Sequence, residues 1–176
     1  MTRPRKKRGD MQEKFTKMLL PTMREPAWRA LSPTAQALYP WIKLEWRGEH
    51  YNNNGSLRLS TRQAAEKIGV SVNAAARAFH DLQAKGFLIV TERACLGTEG
   101  MARSPAYELT EIPLPGAMPR VGKKLYKSWR PEQDFFVVVH GANNPEGRNG
   151  KTKPRHHSKD EAIIDLATKK ASLSSR

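Results

Sequence analysis

Asn73 and Arg77 stand four residues apart, a spacing that puts them one above the other on the same face of a helix. An asparagine amide can accept from and donate to adenine at once. A guanidinium can donate twice to guanine, because its geometry matches that base edge in the major groove. Val72, beside them, can touch a thymine methyl, and Ser71 adds a hydroxyl. The chemistry on offer is recognition through hydrogen bonds. Two plainer readings compete: Asn73 as an ordinary surface residue at a helix start, and Arg77 as the partner of Asp81 in an i,i+4 ion pair.

Catalytic patterns find no support. Gly147-Arg148-Asn149-Gly150-Lys151-Thr152 ends like a phosphate-cradling loop, but its first glycine is wrongly spaced and no strand runs into it. His156-His157 lacks spaced partners, and His50, His80 and His140 are isolated, so no metal site is expected. The single Cys95 excludes an intrachain disulfide and has no evident base beside it. No enzyme activity, metal or cofactor is expected.

The residues around Asn73 spell out the helix that would hold it. Ser60 and Gln63 form a Ser-x-x-Gln capping box that opens a first helix. Gly69-Val70 breaks it after Ile68, and Ser71 can cap a second. In that second helix Ala75, Ala78, Phe79 and Leu82 fall on one buried face, leaving Asn73, Ala76, Arg77 and His80 on others. Lys85-Gly86 supplies a basic last turn and a C-terminal glycine. Phe87 to Val90 reads as a buried strand.

Helix, tight turn, helix and strand in this order resemble a winged helix-turn-helix, on Ala65, Gly69-Val70-Ser71, Arg77-Ala78-Phe79, Leu82 and Lys85-Gly86-Phe87-Leu88. The resemblance is to bacterial regulators of the GntR and MarR type and covers roughly residues 28 to 110. It implies an α+β fold with a three-helix core, a small antiparallel sheet as wing, and a second helix that enters the DNA major groove. The chain departs from the GntR pattern at Val72 and Ala76, where arginines are common. A helical hairpin with a purely packing role is the plainer alternative.

Net charge across the 176 residues is +14, which makes a polyanion the expected partner. The charge is unevenly placed. Residues 25–116 hold ten Lys and Arg against nine Asp and Glu, residues 1–24 hold eight against two, and residues 117–176 hold thirteen against six. A nearly neutral domain thus carries basic extensions, which can supply binding that reads no sequence. Lone Cys95 suits a reducing compartment, no apolar run is long enough to span a bilayer, and the basic start lacks the apolar core of a secretory signal. The expectation is a cytoplasmic, nucleoid-associated protein with no membrane partner.

The remaining elements follow from local signals. Arg5, Lys6, Lys7 and Arg8 belong to a basic arm suited to a minor groove or to phosphates, or to solubility alone. Met11 to Leu20 reads as a short helix ended by Pro21. Ser32 and Pro33 open another, with Leu31, Ala35, Leu38 and Ile42 buried and a kink expected at Pro40. Trp28, Trp41 and Trp46 are expected in a core or subunit interface. Asn52 to Gly55 is a turn, and Ser56 to Leu59 a short strand. Phe87–Val90 and Ala106–Thr110, linked through Gly97 and Gly100, form the wing hairpin with Tyr107 and Leu109 inward and Arg93 and Arg103 near its base. Pro113 to Gly116 closes the domain. Lys124–Trp129 and Phe135–His140 read as two strands of a hairpin extension over 117–140. Beyond lies a basic tail, 141–176, expected to be disordered with a short helix near Ile163.

The expected role is binding of double-stranded DNA. Ser71, Val72, Asn73 and Arg77 would read bases. Arg62 would meet a phosphate at a helix start, Arg93 and Arg103 would serve the wing, and the arm would act as an anchor. A repressor-type transcriptional regulator acting as a homodimer is the first reading, with no small-molecule ligand implied. A plasmid or phage replication protein binding origin repeats is the second, and a winged-helix protein-interaction module the third.

Overall fold

The structure, a computed structural model, describes residues 14–96 and 102–139. The arm with Arg5, Lys6, Lys7 and Arg8, the loop with Gly97 and Gly100, and the tail from residue 140 onward lie outside the described residues.

Two short helices come first, α1 (Leu20–Arg24) and α2 (Pro26–Arg29). This corrects the expected Met11–Leu20 helix: residues 14–19 are not helical, and Pro21 opens α1. Proline lacks an N–H and has a preset φ, which suits a first turn where that donor would have no partner. Helix α3 (Pro33–Lys43) begins as expected, with Ser32 Oγ accepting from Ala35 N–H at 3.3 Å. It runs unbroken through Pro40. Burial of Leu38, Tyr39 and Ile42 offsets the one ladder bond that Pro40 cannot make.

Strand β1 (Leu57–Arg58) leads into α4 (Thr61–Ile68) and α5 (Val72–Ala84). The capping box forms in full: Gln63 N–H donates to Ser60 Oγ at 3.2 Å, and Ser60 N–H to Gln63 Oε1 at 3.0 Å. Gly69 ends α4 at φ +70°, a left-handed conformation that glycine adopts without steric cost. The buried face of α5 is the expected one, Ala75, Ala78, Phe79 and Leu82. Then come β2 (Leu88–Glu92), β3 (Cys95–Leu96), β4 (Ala102–Arg103) and β5 (Ala106–Leu109).

The fold is α+β: the described residues form five α-helices and a three-stranded antiparallel sheet of order β1-β5-β2, with β3 and β4 paired separately. Helices α3, α4 and α5 pack on one another, and α5 packs on β2. Aromatic rings tie the layers together. Trp28, Tyr39 and Phe87 meet edge to face at 5.4–5.6 Å, and Tyr126 stacks on Phe87 at 4.7 Å. Phe79 stacks on Tyr107 at 5.0 Å. Trp41 and Trp46 sit half-buried against this core.

The expected alternation in β5 is incomplete. Tyr107 and Leu109 are buried, but so is Glu108 between them. As the central strand β5 is covered on both faces, and Lys123 reaches back to Glu108 at 2.8 Å.

Packing also continues past Pro113–Gly116, since Tyr126 and Trp129 belong to the core. The two strands expected at Lys124–Trp129 and Phe135–His140 are not formed. Leu125–Lys127 is a 3-10 turn, and residues 135–139 form a strap outside any strand. Their donors go elsewhere: Phe135 N–H to the Ala84 carbonyl at 2.8 Å and Val138 N–H to Gln83 Oε1 at 3.0 Å. Gly86 makes room for this. At φ +75° a β-carbon there would meet the Phe135 ring at 2.7 Å.

Candidate nucleic-acid interface

Helix α5 presents its first turns to solvent. Ser71, Val72, Asn73 and Arg77 are exposed, with Ala76 and His80 half-buried beside them. Ser71 Oγ accepts from Ala74 N–H at 3.2 Å, so its lone pair is engaged and its proton remains to donate. Among the described residues nothing bonds the N–H groups of Val72 and Asn73, as expected for the first turn of a helix. Val72 is 49% exposed, an apolar surface available beside the Asn73 amide. Asn73 and Arg77, at i and i+4 with both side chains exposed, form one stripe.

The competing ion pair for Arg77 does not form. Asp81 is held instead by Lys85 at 2.8 Å and by the Ser32 N–H at 2.7 Å. Burial raises the Asp81 carboxyl pKa, but these bonds outweigh it and hold the group below the usual carboxylate range. Among the described residues Arg77 has no salt-bridge partner within 4.0 Å.

The other basic candidates fall in separate places. Arg62 is exposed in the first turn of α4. Arg103 is exposed on β4, opposite Cys95 on β3. Arg93 lines a groove of about 480 Å³ together with Gln83, near the far end of α5. Ten residues of helix separate Gln83 from Asn73, roughly 15 Å along the axis. Arg93 is therefore grouped with the end of α5 opposite Asn73.

Several functional-looking residues proved to be structural, and the sequence carried no local signal for them. Arg58 joins β1 to the hairpin, bonding Glu92 and the Ser104 carbonyl. Buried Glu111 accepts from Thr22 Oγ1 at 3.0 Å, Tyr39 Oη at 2.8 Å and Lys43 Nζ at 2.7 Å. Burial, then the Glu111 charge and hydrogen bond, push the Tyr39 phenol well above its ordinary pKa. Asn54 donates to the Leu109 and Ile112 carbonyls at 3.0 and 2.8 Å and accepts from Leu109 N–H at 2.8 Å. It thereby extends the pairing of β5 beyond the end of β1.

Among the described residues no cluster of three or more His, Cys, Asp or Glu could hold a metal ion, and no helix is long and apolar enough to cross a membrane. Comparisons with protein-family models, curated proteins and solved structures return no match.

Proposed function

We propose that this chain is a winged helix-turn-helix protein that binds double-stranded DNA and acts as a repressor-type transcriptional regulator. The observation that carries the reading is the stripe on α5: Asn73 and Arg77 are exposed, and among the described residues Arg77 has no ion-pair partner, since Asp81 is engaged by Lys85 and Ser32. In this reading α5 enters the major groove by its N-terminal turns. Asn73 pairs with adenine, Arg77 with guanine, and Val72 lies against a thymine methyl. Arg62, beside the free N–H groups that open α4, and Arg103 meet phosphates. The net charge of +14, held mostly outside residues 25–116, supplies attraction that reads no sequence.

The test is selection of bound duplexes from a random pool by the full chain at near-physiological salt. Enrichment of an inverted repeat supports a two-fold dimer reading bases at a promoter. Enrichment of direct repeats replaces the regulator with an origin-binding protein. Binding without any enrichment removes base reading by α5, and no binding at low salt removes DNA as the partner.

A further inference from the structure

Residues 14–24 hold Lys14, Lys17 and Arg24 and no Asp or Glu. Four apolar side chains among them face solvent: Phe15 is 76% exposed, Leu19 47%, Leu20 57% and Met23 41%. They are four of the ten large apolar side chains exposed among the described residues, gathered within nine positions. Exposed apolar side chains scattered singly need no account, but a group rimmed by polar residues marks a contact surface.

Anchors on the inner side keep this group turned outward. Thr22 is buried and donates to Glu111 at 3.0 Å, Met18 packs against the core, and the Lys17 carbonyl accepts from Lys43 Nζ at 2.6 Å. Met23 N–H donates to the Leu19 carbonyl at 3.1 Å, which stacks Met23 over Leu19 at i and i+4. Leu20, three before Met23, completes one exposed arc of α1. Arg24 follows Leu20 by four and borders the arc. Lys14, Lys17 and Arg24 are exposed, and none has an ion-pair partner within 4.0 Å among the described residues.

We propose that this arc binds the surface of an anionic phospholipid bilayer. Phe15, Leu19, Leu20 and Met23 enter the boundary between headgroups and acyl chains, and Lys14, Lys17 and Arg24 lie against headgroup phosphates. Such a contact lies in the plane of the interface and needs no spanning helix. It takes two signals, apolar insertion and basic charge, because either alone binds only marginally. Both are present: the preceding residues 1–13 add five Lys and Arg against two Asp and Glu. Side chains this exposed suit a bilayer, which requires no matching groove. A second copy would meet the arc with the same three cations and no acid to offset them, so charge favours the anionic surface. The inference is independent of DNA binding.

The experiment is co-sedimentation of the full chain, without DNA, with vesicles of phosphatidylcholine alone or with about a quarter phosphatidylglycerol, which gives the surface a negative potential. Only the anionic vesicles should carry the protein down. Phe15→Ser and Leu20→Ser change no charge, and each should weaken this binding about tenfold. Neither should move the thermal midpoint, because both side chains are exposed. Lys17→Gln should weaken binding about fivefold at low salt and less as salt rises. No binding to the anionic vesicles overturns the proposal. So does binding that both serine variants retain in full, which would reduce the contact to charge attraction by the basic extensions. A dimer that Leu20→Ser dissociates, with no protein on the vesicles, also overturns it and assigns the arc to a second copy.

Discussion

Two regions of this molecule gather residues able to do chemistry, and they use them in opposite ways. Around Glu111 a carboxylate, an ammonium, a phenol and a hydroxyl lie within 3.0 Å, the inventory of many active sites. Lys43 and Glu111 are both nearly fully buried, and Lys43 also donates to the Lys17 carbonyl at 2.6 Å. Each oxygen of Glu111 is engaged, so the cluster is spent on joining α1, α3 and the end of β5. On the outer face of α5 the chemistry is simpler, but Asn73 and Arg77 are exposed and Arg77 has no ion-pair partner among the described residues. Residue type alone would rank the first region higher. Hydrogen-bond satisfaction and solvent access reverse the order.

The sharpest way to break this comparison is Glu111→Gln. Loss of the carboxylate leaves the Lys43 ammonium buried without its counter-charge, at a cost of about 3–5 kcal/mol. For a chain of this size that is roughly a 10 °C fall in thermal midpoint, measured by calorimetry. DNA affinity of the folded fraction should not change. An unmoved midpoint with lost binding would make the Glu111 cluster a site and overturn its structural role. Asn54→Ala comes next. It leaves the Leu109 N–H and the Ile112 carbonyl without partners, while the Leu109 carbonyl keeps the Ile112 N–H at 3.2 Å, and should cost about 2–3 kcal/mol by denaturant titration.

The two regions also differ in how legible they were. The α5 face could be read because its determinants are local. Ser60 with Gln63, Gly69, Ser71 and the 3–4 spacing from Ala75 to Leu82 each act within one or two turns. The Glu111 cluster joins residues 68 to 89 positions apart, and Asn54 reaches β5 across 55. No periodicity encodes such partners, so Asn54 read only as part of a turn. Pro21 illustrates a signal with two meanings, since the same missing N–H can end a helix or begin one. The run Phe135 to Val139 has strand composition, yet Gly86 and Gln83 draw it onto the end of α5. Its destination depends on tertiary neighbours.

On the α5 side the comparison is sharpened by Arg77→Ala. Binding to the selected site should weaken by about 1–3 kcal/mol, with discrimination lost at one base pair. Stability should stay within about 0.5 kcal/mol, because the exposed side chain has no ion-pair partner among the described residues to lose. Equal losses on selected and random duplexes would reduce Arg77 to a phosphate contact. A smaller effect is expected from replacing thymine by uracil opposite Val72. That removes one methyl contact, worth about 0.8 kcal/mol, and the penalty should vanish in Val72→Ala. A penalty that persists in Val72→Ala would assign the methyl to another residue.

The smallest effect is expected one turn farther along α5. Asp81 is on α5, one turn beyond Arg77, yet it points its bonds to Lys85 and to Ser32 at the start of α3. Its pKa is lowered in the folded chain, so its contribution is present above the unfolded value near 3.9 and is lost as pH falls through the folded value. Solvent reaches the pair, which limits the stabilisation to under about 1 kcal/mol at neutral pH. Asp81→Asn should therefore lower stability slightly at pH 7, and the gap to the parent should close as pH falls below about 4, read by denaturant titration at the two pH values. A gap that stays constant would mean the amide disturbs packing instead of removing a charge. DNA affinity should not fall in this variant, since Asp81 does not position Arg77. A loss of binding with the fold intact would show that Asp81 orients the stripe.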